Sequence, residues 1–391
     1  MIDLSQINCT GCHSCYSVCP QNCIEMKPDN EGFLYPYIND DNCIDCGLCE
    51  KSCPSLNPVS VSIDSNLFAC YRKNLVKRME SASGGIFSVL AELIISEGGV
   101  VFGAAFDEQW NLKHIAVDNT DDLIQLKGSK YVQSEIGNSF VKVKELLEQG
   151  RKVLFSGTSC QIQGLKSFLK KDYNNLLCVD LICHGVPSPK VWQKYIEEIS
   201  NGRNLFKLNQ RDKSKGINNA PIIFEFEDGK KFKQKYNDNL YIRGFIQNLY
   251  LRPSCYKCDF KGIERSSDIT IGDFWGLENY KPDFVDKYGV SAVIIHTQKG
   301  LELFERIEDK LSIVDCNNNY EWVTSQNPCV DKSVIVNSNR RAFFNRLDNV
   351  SFDKLIKDYT MAPSKKKYYY RIKEIILKPF WIMKKGLSRI I

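Results

Sequence analysis

Apolar residues in the stretch SASGGIFSVLAELIISEGG recur at Ile86, Phe87, Leu90, Leu93 and Ile94, the spacing of one helix face. Ser83, Gly84 and Gly85 open that helix, and Gly98 and Gly99 close it. VVFGAAF follows as a continuous apolar run, the pattern of a buried strand. KVLFSGTSCQIQGLKSFL reads as strand, small-residue loop and helix. LLCVDLI is a further strand, and CHGVPSPKVWQKYIEEI enters another helix. Strands alternating with helices predict an α/β sheet with parallel pairs. IIFEFEDGKKFKQKY differs: it alternates strictly, turns at Asp228-Gly229 and returns, which predicts an antiparallel hairpin. DITIGDFWG and VSAVIIHTQKGLELFERI add a strand and a strand–turn–helix, so a mixed sheet is expected.

The first sixty residues lack this rhythm. GFLYPYIND alternates as a short hairpin strand would, and it lies between two cysteine combs. Each comb reads C-x2-C-x2-C-x3-C-P: Cys9, Cys12, Cys15, Cys19 with Pro20, then Cys43, Cys46, Cys49, Cys53 with Pro54. This is the run of a bacterial two-cluster ferredoxin, in which the fourth cysteine of each comb serves the other cluster. It assigns Cys9, Cys12, Cys15 and Cys53 to one 4Fe–4S cluster, and Cys43, Cys46, Cys49 and Cys19 to a second. Zinc also takes paired C-x2-C, but has no use for the third cysteine or the Cys-Pro ending. Gly11 and Gly47 suit the tight wrapping between ligands, and Cys23 reads as a buried or spare thiol.

Composition narrows the setting. The 391 residues allow two or three compact units, and 43% apolar with 25% charged residues reads as soluble and globular. Seventeen cysteines, behind a start (MIDLSQINC) with no export pattern, point to metal ligands or catalytic thiols in a cytoplasmic setting. No apolar run reaches the length of about 18 residues that a spanning helix needs. The net charge of +5 is local: nine Lys or Arg and one Glu follow Ala362, leaving 43 basic and 46 acidic residues elsewhere. A nearly neutral body argues against nucleic acid as a partner. The tail KKKYYYRIKEIILKPFWIMKKGLSRII mixes basic with aromatic and aliphatic residues. It is expected either to touch a membrane peripherally or to dock on a partner subunit or the body itself.

A further C-x2-C, Cys255 and Cys258, needs two more ligands. Cys160 and Cys183 are the candidates, because each follows a predicted parallel strand and so should emerge at one sheet edge; as ordinary buried thiols they would need no explanation. Cys178 reads as core, and Cys70, Cys316 and Cys329 have no partner signal. The small-residue loops SASGG and SGTSC could present N–H groups to an anion, although a Gly pair before a helix is often only a cap.

SGGIFSVLAELI, GSKYVQSEI, GTSCQIQGL, ICHGVPSPKVW and CYKCDFKGIERSSDITIGDFWG, in that order, resemble the coenzyme F420 hydrogenase/dehydrogenase beta-subunit family, from about Phe68 to Arg306. The resemblance implies FAD and an adjacent 4Fe–4S cluster on Cys160, Cys183, Cys255 and Cys258. It places the flavin against Ser83, Gly84, Gly85, Gly128, Ser129, Lys130, Tyr131, Gly157, Thr158 and Asp273, where Lys130 taken alone also reads as a surface lysine. Many relatives have Pro where this chain has Ser159, so a less rigid loop is expected. His184 is the histidine nearest the inferred site, either delivering protons or only hydrogen-bonding cluster sulfurs or loop backbone.

The expected organisation is a two-cluster ferredoxin domain over 1–60, an α/β flavin and iron–sulfur domain over 61–310, a helical extension over 311–361 and the basic tail over 362–391. Clusters feeding a flavin imply an oxidoreductase acting on a small organic substrate, with ferredoxin or another carrier as donor. The family setting suggests surface-polysaccharide work. The alternative is an electron-transfer subunit serving a separate catalytic subunit.

Overall fold

The computed structural model describes residues 9–59, 65–218 and 220–361. The basic tail, and with it the expected membrane contact, lies outside the described residues. The N-terminal module is built on the antiparallel hairpin of β1 (Ile24–Pro28) and β2 (Leu34–Ile38). Asp29 shapes its turn, its carboxylate accepting from the N–H groups of Glu31 and Phe33. Each comb winds in the same way, with left-handed backbone at Gly11 and His13 and again at Asp45 and Gly47. Only two of these four positions are glycine, so His13 and Asp45 each bear a strain of about 1–2 kcal/mol to keep the wrap.

The remaining strands are β3 (Asn66–Arg72), β4 (Val100–Phe106), β5 (Leu112–Val117), β6 (Val153–Thr158), β7 (Leu176–Leu181), β8 (Leu205–Asn209), β9 (Ile222–Phe226), β10 (Lys231–Gln234), β11 (Ile269–Asp273), β12 (Ser291–Ile295) and β13 (Leu311–Asp315). Eight form one mixed sheet in the order β13-β3-β12-β11-β7-β6-β4-β5. β4, β6, β7 and β11 run parallel at its centre, and antiparallel strands flank them on both sides. Alternation along β4 shows both faces covered: Val101 and Ala105 join helix Ile86–Ser96, while Val100 and Phe102 join helices Ser139–Glu148 and Ser159–Leu169. The predicted hairpin is present as β9 and β10, with β8 added as a third strand. It packs on an aromatic core of Trp192, Tyr195, Phe224, Tyr241, Tyr250 and Phe352. The segment from 311, expected to be helical, opens with strand β13, which extends the sheet edge beside β3 before the helices begin.

Strands β6, β7 and β11 end at one edge of the sheet, so the chain just beyond them converges there. The N-terminal module sits against the same region. Gly164 of helix Ser159–Leu169 touches Cys12 so closely that an added Cβ would lie 2.8 Å from the cysteine Cβ.

Candidate functional site

Three groups of thiols form. Cys9, Cys12, Cys15 and Cys53 make the first: burial pushes the Cys12 thiol up to about 12, and Cys9 and Cys53 add to the rise. Cys15 is raised in the same way, by burial and then by Cys12, Cys9 and Cys53. Cys19, Cys43, Cys46 and Cys49 surround a second space nearer the surface, joined by Cys23, whose sulfur lies 3.4 Å from that of Cys19. The crossed assignment of the fourth cysteines is thus the one the chain brings together. Cys160, Cys183, Cys255 and Cys258 line a third space. Burial raises Cys160, with Cys258, Cys183 and Cys255 contributing. Among the described residues no three His, Cys, Asp or Glu side chains close on a point as ligands of a single ion. The second and third groups instead enclose shared spaces, as a cubane requires, and each comb winds through left-handed turns between its thiols.

A cavity of about 800 Å³ opens beside the third quartet. Ser83, Gly85, Gly128, Ser129, Lys130, Tyr131, Gly157, Thr158, Asp273 and His184 all line it. Gly84 does not belong to that lining. It is wedged behind the wall, where an added Cβ would lie 2.5 Å from the Cys70 carbonyl, so its smallness serves the sheet contact. Gly85 takes φ +92 at the start of helix Ile86–Ser96, which a residue with a side chain adopts only under strain. The loop ahead of it is clamped by Lys213, whose ammonium donates to the carbonyls of Arg78, Ser83 and Tyr288.

Lys130 is half-buried in the cavity wall rather than set on the outer surface. Burial lowers it from the usual lysine range to about 7, and its ammonium donates to the Lys127 carbonyl at 2.8 Å. Asp273 binds Arg211 at 2.7 Å through one oxygen, while its other oxygen is buried without a partner. Gln210 accepts from the Tyr131 N–H, and its own amide nitrogen is likewise unpartnered. A poorly solvated cation with orphaned polar atoms suits a ligand that is both anionic and rich in hydrogen-bonding groups.

The loop after β6 is not loose at Ser159. Thr158 and Gln161 form a capping box, and the Ser159 hydroxyl donates to Asp180 at 2.6 Å while accepting from Arg265 at 2.6 Å. Arg265 and Asp180 form a buried ion pair at 2.9 Å. Hydrogen bonds therefore supply the rigidity that proline would give by its ring.

His184 lies between the third quartet and the cavity. Asn248 Nδ2 donates to the Ile335 carbonyl, which turns Asn248 Oδ1 toward His184 Nε2 at 2.7 Å. Nε2 therefore carries the proton, and Nδ1 accepts from the Cys329 thiol at 3.3 Å. Both ring nitrogens are engaged, an arrangement that fixes the ring and holds Cys329 at the cavity wall. Sequence reasoning missed Cys329, Arg211 and Lys213, because none sits in a motif or a periodic run.

Residues 150–318 match the family described as the C-terminal region of the coenzyme F420 hydrogenase/dehydrogenase beta subunit, and residues 8–57 match a 4Fe-4S dicluster domain. The coenzyme F420-dependent sulfite reductase of Methanocaldococcus jannaschii is 26% identical over 318 residues, covering 77% of this chain and 46% of that protein. The chain thus spans less than half of this relative. Ketoisovalerate oxidoreductase subunit VorC of Methanothermobacter marburgensis is 29% identical over 63 residues, which is 16% of this chain and 80% of that one. Among solved structures, a chain of the F420-reducing NiFe hydrogenase complex from Methanosarcina barkeri matches with TM-score 0.47 and 17% identity, over 78% of this chain and 98% of that one.

Proposed function

We propose, from the match of residues 150–318 to the coenzyme F420 hydrogenase/dehydrogenase beta-subunit family and of residues 8–57 to a 4Fe-4S dicluster domain, that the chain conducts electrons through three 4Fe–4S clusters to a flavin in the 800 Å³ cavity. The observation that carries this reading is the serial contact of the sites. Thr10 and Arg252, neighbours of Cys9, line the third thiol space, and Thr158, Cys183 and His184 line both that space and the cavity. Cys46 of the second group is exposed, which supplies a port for an electron carrier.

In this reading Cys9, Cys12, Cys15 and Cys53 hold the first cluster, Cys19, Cys43, Cys46 and Cys49 the second, and Cys160, Cys183, Cys255 and Cys258 the third. FAD would be held in the cavity by Lys130 and the N–H groups at Gly85 and Gly128, which would serve its pyrophosphate, with Asp273 as an acceptor for its hydroxyls. The flavin supplies exchange between one-electron clusters and two-electron organic chemistry. The residues around it bind and orient it, and His184 and Cys329 form the wall on the cluster side. Service to a separate catalytic subunit is the second reading, favoured because the relative it matches is about twice as long.

Anaerobic purification should give about twelve iron and twelve sulfide per chain, as three four-iron clusters require, with one FAD. About eight iron would remove the third cluster. Full iron with no flavin, and with reconstitution only by a deazaflavin, would change the cavity's ligand and leave the wire.

A further inference from the structure

We propose that Arg252 is the counter-ion of the first cluster and sets its reduction potential, and with it the electron step toward the third cluster. The inference rests on the three-cluster reading above. Four arginines are buried among the described residues: Arg72, Arg78, Arg252 and Arg265. Three of them have a carboxylate: Arg72 pairs with Glu92, Arg78 with Asp286 and Arg265 with Asp180. Arg252, with no exposed surface at all, is bound differently. Its Nε donates to the Cys9 carbonyl at 2.8 Å, Nη1 to Gln133 at 3.1 Å, and Nη2 to the Leu34 carbonyl at 2.8 Å. Its guanidinium also lies over Tyr35, 4.3 Å from the ring centre. No carboxylate is among these partners. Beyond the Phe33 ring, whose centre is 5.4 Å away, the remaining contact is Nη2 to the Cys9 sulfur at 3.6 Å.

A buried guanidinium with only neutral partners is costly. A cluster on Cys9, Cys12, Cys15 and Cys53 removes that imbalance, because four thiolates outweigh the charge of the iron–sulfur core. Reduction adds one more negative charge. Burial alone opposes that gain, and a fixed cation beside a ligand sulfur favours it. Arg252 also faces the next site. Its carbonyl accepts from the Cys255 N–H at 3.0 Å, and Arg252 is among the residues that line the third thiol space. One cation thus stands between the two clusters and stabilises an electron on either.

The test uses the full chain, loaded anaerobically, as wild type, Arg252→Gln and Arg252→Lys. Iron is counted first, and midpoint potentials are then read by EPR-monitored titration. The first cluster's signal is assigned as the one lost in Cys15→Ala. Arg252→Gln is expected to lower that cluster's midpoint, with the oxidised-to-reduced ratio at a fixed potential rising about tenfold or more, equivalent to about 59 mV for one electron. Arg252→Lys should stay near wild type. Loss of about four iron in Arg252→Gln but not in Arg252→Lys also supports the counter-ion role. Unchanged potential at full iron content overturns the proposal, as do equal losses or equal shifts in both variants, which would make Arg252 a matter of fit. A wild-type count of about eight iron strikes the three-cluster reading instead, and the first cluster's potential still decides the role of Arg252.

Discussion

Single residues set how close the cofactor sites approach one another. Gly164 sits in a helix, where alanine would ordinarily add up to about 1 kcal/mol of helix stability. Here the new methyl would meet Cys12 at 2.8 Å for its Cβ and 2.9 Å for its sulfur. Overpacking costs about 1–3 kcal/mol and acts on a proposed cluster ligand, so the clash wins. Gly164→Ala should therefore lower the melting temperature and shed iron from the first cluster, and iron analysis beside a thermal scan reads both. Lys130 gives a pH signature. Burial lets its proton be held only to about pH 7, and an anionic ligand would raise that value again. FAD affinity should be flat below pH 7 and fall by up to tenfold per unit above it, with uptake of a proton on binding. Flavin fluorescence quenching across pH 6–9 measures this, and Lys130→Met should flatten the curve.

At the scale of elements, the turn from β6 into helix Ser159–Leu169 carries Cys160 and is braced from beneath by β7. Asp180 on β7 accepts from Ser159, Thr270 and Arg265, so removing it strands a buried guanidinium. Asp180→Ala should cost about 3–5 kcal/mol, the range for breaking a buried pair, against about 1–3 kcal/mol for Ser159→Ala. Urea unfolding of the two variants under one loading condition tests the order. If Ser159→Ala proves the costlier, the ion pair is not what holds the loop.

Over the whole molecule, the proposed route carries electrons from the N-terminal module into the body, and Cys258 belongs to the third thiol group on that route. Cys258→Ala should remove about four iron and leave both clusters of the N-terminal module visible by EPR. It should also stop flavin reduction when electrons are supplied through that module. Flavin reduction at the wild-type rate would show that electrons bypass the third site.

Much of this was already present in the chain as written. The comb spacing is local, so the two thiol combs are legible from it, and the expected exchange of their fourth members comes from the known run of two-cluster ferredoxins. Strand and helix periods gave the central sheet, because burial on one or both faces leaves its mark every two or every 3.6 residues. The strand-end positions of Cys160 and Cys183 pointed to one sheet edge, and parallel strands bring them there. What the tertiary structure alone decided are contacts between residues far apart in sequence. Arg252 meets Cys9 across 243 positions, and Lys213 reaches Ser83 across 130. Cys329 meets His184 across 145. No local pattern marks such residues, since a lone arginine or cysteine in a loop reads the same whether it faces water or a cluster. Gly84 and Ser159 teach the complement. Their neighbours were legible, but their roles depend on what lies behind them: a carbonyl of β3 in one case and a buried ion pair in the other.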